Sequence, residues 1–274
     1  MSGWGQIGAI LRKDLIRELR TRDMLVSMAL FALLAMVIFH WAFTVRGDTD
    51  LTYFTGGMLW VTFVFAMLLG LNRSFAQEKD EHCLDGLLLC PVDRVTIFLA
   101  KTVGNLVFLL IIQAVAVPVF VLFFVEGGFL EGLPAFLAVL LLADLGICAL
   151  GTLLATISMN TRSRDLLLPI LFLPLIVPLL VAATSATTLV LADGAGVREI
   201  GGRLLFMLGF DAVFLVVAWG TYDFACLLYT SDAADDLLCV DLGGRRILKK
   251  KIGTYRASSY IDNKIRPTSS TNDQ

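Results

Sequence analysis

Residues 24–45 read MLVSMALFALLAMVIFHWAFTV, twenty-two positions without a charge. A bilayer core roughly 30 Å thick needs about 20 predominantly apolar residues in helical form, so this stretch is long enough to cross one. It follows a basic N-terminus, as the apolar core of a secretory signal does. It is too long for that role, and no small-residue cleavage site comes after it. The run reads as an anchor that stays.

Five further runs of the same kind lie downstream: Thr52–Leu71, Thr102–Val125, Leu130–Met159, Leu166–Leu191 and Leu204 to about Ala225. The whole chain is 57% hydrophobic and 17% charged, with a mean hydropathy of +0.81, more apolar surface than a soluble core of 274 residues could hide. The expected class is an all-α membrane protein with about six transmembrane helices and an amphipathic interfacial helix at its N-terminus. The expected domains are 1–23 (cytoplasmic amphipathic helix), 24–225 (six-helix membrane domain) and 226–274 (a tail).

Lys and Arg set the orientation. Arg12, Lys13, Arg17, Arg20 and Arg22 precede the first run; Arg73, Lys79, Arg94 and Lys101 separate the second from the third; Arg162 and Arg164 separate the fourth from the fifth. The alternate connections hold Arg46, Arg198 and Arg203, so eleven against three places the N-terminus in the cytoplasm. Between Gln6 and Arg22, Ile7, Ile10, Leu11, Leu15 and Leu19 recur at helical spacing while most cations fall elsewhere. Such a helix is expected in the cytoplasmic headgroup plane, at the least as an anchor on anionic lipid.

Beyond the last run the chemistry changes. Cys226-Leu-Leu-Tyr-Thr-Ser-Asp-Ala-Ala-Asp235, then Cys239-Val-Asp-Leu-Gly-Gly-Arg-Arg246 and Lys249–Lys251, compose a polar tail that by composition alone would be disordered. The string CLLYTSDAAD resembles a translated sequencing adapter. Residues from about Cys226 are therefore expected to be non-native, and no role in nucleic-acid binding is read from their basic run.

No catalytic set is visible. The histidines are His40 and His82, and Cys83, Cys90, Cys148, Cys226 and Cys239 include no C-x-x-C pair, so neither a metal site nor a disulfide framework is expected. A G-x-x-x-x-G-K-[ST] phosphate loop is missing from the chain, so any ATP would be held by a partner. The most informative polar stretch is 72–101: Glu78, Lys79, Asp80 and Glu81 precede Leu84, Asp85, Gly86, Leu87 and Leu88, with Pro91 as a stop. It reads as a surface helix, either an ordinary connection or a docking element for a cytoplasmic subunit. Within the runs, Asn105, Gln113, Asp144 and Asp211 must face protein or water, because a charge near the bilayer centre costs about 3 kcal/mol. They are candidates for function or for interhelical hydrogen bonding. His40 is a candidate iron-porphyrin ligand or an interfacial hydrogen-bonding group. Pro169, Pro174 and Pro178 are expected to kink the fifth run.

These features resemble the permeases of ABC exporters and, more closely, the heme exporter protein B (CcmB) family, over about residues 8–225. The resemblance rests on Lys13-Asp-Leu-Ile-Arg-Glu-Leu19, Phe75-Ala-Gln-Glu-Lys-Asp80, Leu84-Asp-Gly-Leu-Leu-Leu-Cys-Pro-Val92 and Ala100-Lys101. It rests further on Ser163-Arg-Asp-Leu-Leu-Leu-Pro169, Leu173-Pro-Leu-Ile-Val-Pro-Leu179 and Gly209-Phe-Asp-Ala-Val-Phe214. It implies a multi-pass permease of the bacterial inner membrane, itself no enzyme, serving heme export or delivery in c-type cytochrome biogenesis. Heme is then the substrate handled, and ATP is hydrolysed by a separate CcmA-like subunit. The further partners implied are CcmC-like and CcmE-like heme-handling proteins and a second copy of the chain. The resemblance leaves open a subunit that couples ATP-driven motion to chaperone release without moving heme, and a permease for another lipid-like substrate.

Overall fold

The computed structural model describes residues 3–44, 52–80, 94–125, 129–158 and 164–221, all within the unit Met1–Cys226. Regular structure among them is helical throughout: α1 (Gly3–Thr21), α2 (Asp23–Thr44), α3 (Thr52–Asp80), α4 (Arg94–Phe124), α5 (Phe129–Ser158), α6 (Arg164–Asp193) and α7 (Gly201–Thr221). Six of these, α2 to α7, are long and apolar enough to cross a membrane. This is the expected all-α, multi-pass membrane protein. The expected surface helix at 84–88 and the tail 226–274 lie outside the described residues.

Contacts at the two ends of the bundle fix the alternating directions of the helices. Ile10 of α1 is buried among Ile97, Phe98 and Ala100 near the start of α4, Leu153 near the end of α5 and Ala218 near the end of α7. At the opposite end, Trp60 Nε1 near the start of α3 donates to Thr187 Oγ1 near the end of α6 at 2.9 Å. Arg203 Nε near the start of α7 donates to Ser185 Oγ of α6 at 2.7 Å. His40, near the end of α2, stacks on Phe123 near the end of α4.

The central spans are α3 and α5, whose crossing windows are 72% and 61% buried within the protein, against 22% for α2 and 17% for α7. Their side chains Trp60, Phe63, Met67, Leu71, Ile147 and Leu150 form the core with Phe172 and Leu179 of α6. Outward-facing Leu30, Leu34, Leu205 and Val213 are exposed, as apolar side chains that meet lipid should be. Lipid tails are as apolar as these side chains, so helix association depends on close packing and hydrogen bonds instead. Small residues provide the close packing: a Cβ on Gly56 would sit 3.0 Å from Thr188 Oγ1 and 3.1 Å from the Thr184 carbonyl oxygen, where α3 meets α6.

The helix ends follow local chemistry. At the end of α6, Gly194 adopts φ +62°, and Ala195 N–H turns back to the Leu189 carbonyl at 3.2 Å. The helix itself is continuous although Pro169, Pro174 and Pro178 lie inside it. Proline lacks an N–H, so Pro174 and Pro178 leave the carbonyls of Ile170 and Pro174 without their usual helical donors.

Candidate functional site

Two polar pairs join α4 to α5 inside the membrane. Gln113 Nε2 donates to Asp144 Oδ1 at 2.8 Å, and Asn105 Nδ2 donates to Thr152 Oγ1 at 2.9 Å. Each pair is eight residues from the other on both helices, in opposite directions, as antiparallel packing requires. All four residues are buried, and Asp144 is fully so. Gln113 and Asn105 are a multiple of four apart and so share one ridge of α4. Halfway between the pairs the seam is apolar or soft: Leu109 and Cys148 are fully buried there, the latter a free thiol. Gln113 Oε1 and Asp144 Oδ2 accept no hydrogen bond from the described residues.

Asp211 sits at the middle of α7, 2% exposed, with both carboxylate oxygens buried and without a hydrogen-bond donor among the described residues. Its place is made by Gly146 of α5: a Cβ there would overlap Asp211 Oδ1 and come within 2.6 Å of Leu179 Cδ2. Residues 144 and 146 of one helix point about 200° apart and differ by about 3 Å in height. The two carboxylates therefore flank α5 at similar depth on opposite faces, Asp144 toward α4 and Asp211 from α7. The structure does not bring them together. What it offers is two buried carboxyl groups at the middle of the spans, one of them without a hydrogen-bond donor among the described residues.

A second constellation lies at the end carrying α1. Asp14 Oδ2 receives Lys101 Nζ at 2.7 Å, with the two side chains 13% and 7% exposed, and Lys13 Nζ lies 3.1 Å from Asp14 Oδ1. Arg22 ends α1 in the left-handed region, at φ 59°, with its N–H on the Glu18 carbonyl at 2.6 Å. Buried Glu18 then accepts from the first free N–H groups of α2: Oε1 lies 2.9 Å from both Met24 N and Leu25 N. A carboxylate at a helix N-terminus also complements the helix dipole. Arg73 of α3 reaches back to Asp23 at 2.8 Å. The α1–α2 elbow is thus tied to the end of α3 and to the beginning of α4.

The structure sharpens several expectations. Lys101, read as part of a connection, lies inside α4, which begins at Arg94. Of the apolar stripe read on α1, Ile10 packs on the bundle with Ile7 beside it, and Leu11 approaches Gly104, whereas Leu19 is 52% exposed. The helix is therefore clamped to protein along one side. Glu78, Lys79 and Asp80 fall in the last turn of α3, while Glu81, Leu84, Asp85 and Gly86 lie outside the described residues. His40 belongs to an aromatic patch, its ring stacked on Phe123 at 4.7 Å and edge-on to Phe124 at 5.8 Å. Asp14 and Glu18 fall within the stretch Lys13–Leu19 but were given no role there, and Gly146, Thr152 and Thr187 were not singled out by sequence; the spacing of Lys101, Asn105 and Gln113, four and then eight residues, is the signal that points to the seam.

A family model described as CcmB protein matches residues 6–228, which takes in nearly all of α1 and every span. The chain belongs to the CcmB family. Curated relatives carry the name heme exporter protein B: one from Rhodobacter capsulatus is 28% identical over 63% of this chain and 78% of its own length. One from Paracoccus denitrificans is 32% identical over 47% of this chain and 59% of its own, and one from Pseudomonas aeruginosa is 28% identical over 47% and 57%. The chain thus spans less than two thirds of two of these relatives. The CcmB resemblance read from residues 8–225 is borne out.

Proposed function

We propose that this CcmB-family chain is the membrane permease subunit of an ABC-type complex required for heme export or delivery to the periplasm in c-type cytochrome biogenesis. The observation that carries this reading is the family match over residues 6–228, joined by relatives named heme exporter protein B. The chain is not itself an enzyme in this reading: a separate CcmA-like ATPase supplies the energy, with CcmC-like and CcmE-like proteins as companions. The membrane is the bacterial inner membrane, and the excess of Lys and Arg supports a cytoplasmic location for the end carrying α1. The ATPase docks on the segment around Glu78, Lys79, Asp80, Glu81, Leu84, Asp85 and Gly86.

A second reading, in which the subunit couples ATP-driven motion to release of a heme-loaded chaperone, is favoured by one feature. The Asp14–Lys101 and Asp23–Arg73 pairs tie the elbow to the two helices that flank the docking segment, so force applied there would reach α1, α2, α3 and α4 together. Absorption of heme co-purified with the complex separates the readings. Heme that is lost on Asp144→Asn, Asp211→Asn or His40→Ala supports transport through this subunit. Absence of heme with ATPase coupling intact supports the mechanical role. A gene neighbourhood lacking the other maturation components would contradict both and favour another lipid-like substrate.

A further inference from the structure

Beside its clamped face, α1 carries a second stripe of cations and apolar side chains. Lys13, Ile16, Arg17, Arg20 and Thr21 line a cleft of about 510 Å³, and Ile16 and Leu19 are 54% and 52% exposed between the cations. Positions 13, 17 and 20 are four and three residues apart and so lie on one side of a helix. The other side is fixed: Ile10 is buried against α4, α5 and α7, and Asp14 holds Lys101 at 2.7 Å. The cleft therefore cannot rotate to choose its surroundings. It stands at the end of the bundle where α2 begins and where Arg73 of α3 meets Asp23.

We propose that this cleft is a binding site for the headgroup of an anionic phospholipid in the leaflet at the end carrying α1. Charge complementarity favours it, because Arg20 offers a phosphodiester a guanidinium fork and Lys13, 3.1 Å from Asp14 Oδ1, a point charge, with Arg17 in the lining beside them. The exposed apolar side chains favour it over an acidic protein surface, since Ile16 and Leu19 beside cations suit the boundary between headgroup and acyl chain. The clamp distinguishes this from a helix merely adsorbed on lipid: the cations are held in a fixed constellation on a span-bearing body. The inference stands independently of the substrate proposed above.

Native mass spectrometry of the full-length protein in mild detergent, titrated with short-chain phosphatidylglycerol or phosphatidylcholine, tests it. A cation near an anionic surface is worth about 1 kcal/mol, or about fivefold in affinity. Wild-type protein should prefer phosphatidylglycerol, and the triple variant Lys13→Gln, Arg17→Gln, Arg20→Gln should lose about tenfold or more of that affinity. Arg12→Gln, outside the cleft, should keep most of it, and Lys13→Arg with Arg20→Lys should retain it. Thermal melting run in parallel shows whether the triple variant is folded. Equal phosphatidylglycerol binding by the wild-type and triple variant would overturn the site. So would a loss matched by Arg12→Gln, or displacement of the lipid by millimolar inorganic phosphate. If the triple variant does not fold, Lys13→Gln alone must lower the affinity by about fivefold, and no change there would count against the proposal.

Discussion

Asp144 and Asp211 resemble each other in sequence, each a lone acid inside an apolar run, yet the structure gives them different surroundings. Asp144 has a donor in Gln113, and Asp211 has none among the described residues. Interhelical hydrogen bonds in membranes contribute on average about 0.6 kcal/mol and at most about 1.7 kcal/mol. Gln113→Leu should therefore destabilise the protein by about 1–2 kcal/mol, since it also strands a buried carboxylate. Gln113→Leu with Asp144→Leu should cost less than the sum of the single changes, as measured by a double-mutant cycle of melting in detergent. Additive losses would dissolve the pair. Gly146→Ala tests the neighbouring face. Its methyl would meet Asp211 and Leu179, and overpacking of this kind costs about 1–3 kcal/mol; an unchanged melting temperature would show that α7 can move away freely. Neither partner was legible in the sequence. A run such as Thr102–Val125 says that Gln113 must find company, but not which of several helices provides it.

At the scale of the element, the Glu18 side chain caps α2 across the elbow between α1 and α2. Glu18→Ala removes the acceptor of two N–H groups of α2, and losing a cap of this kind costs about 1–2 kcal/mol. Glu18→Gln keeps a carbonyl oxygen and should lie between Ala and the wild type; melting of the three proteins checks the order. The spans themselves were plain in the sequence, because composition over about 20 residues is enough to specify a crossing helix. Their ends were not. Composition placed the third run from Thr102, whereas α4 starts at Arg94, because Lys101 is neutralised by Asp14 from 87 residues away. A window sees the charge of Lys101 and not the ion pair that lets a helix carry it. The amphipathic reading of α1 met the same limit: it found the apolar stripe but not the protein surface that Ile10 occupies.

For the whole molecule, orientation follows from charges spread over many segments, and cysteine labelling measures it directly. In a background without native cysteines, Gly196→Cys in the α6–α7 turn should react with an impermeant reagent from the periplasm. Arg20→Cys on α1 should react only after the membrane is opened, and the reverse pattern would invert the topology. If the proposed ATPase subunit docks as inferred, reversing charge at Glu78, Asp80 and Glu81 together should release it while leaving the melting of the membrane protein unchanged; unchanged co-purification would remove this segment from the proposed docking surface. We also propose that residues 226–274 are non-native, a reading supported by the end of the family match at residue 228; sequencing reads that run evenly across the Ala225–Cys226 junction would refute it. We have proposed that this membrane protein serves heme export or delivery in c-type cytochrome biogenesis. The most direct test of that proposal is complementation of a bacterium deleted for its own CcmB-family protein, read as heme-stained c-type cytochromes in the periplasm. The account predicts that expressing this chain restores them, and chain present in the inner membrane at normal levels with no heme-bearing cytochrome would contradict it.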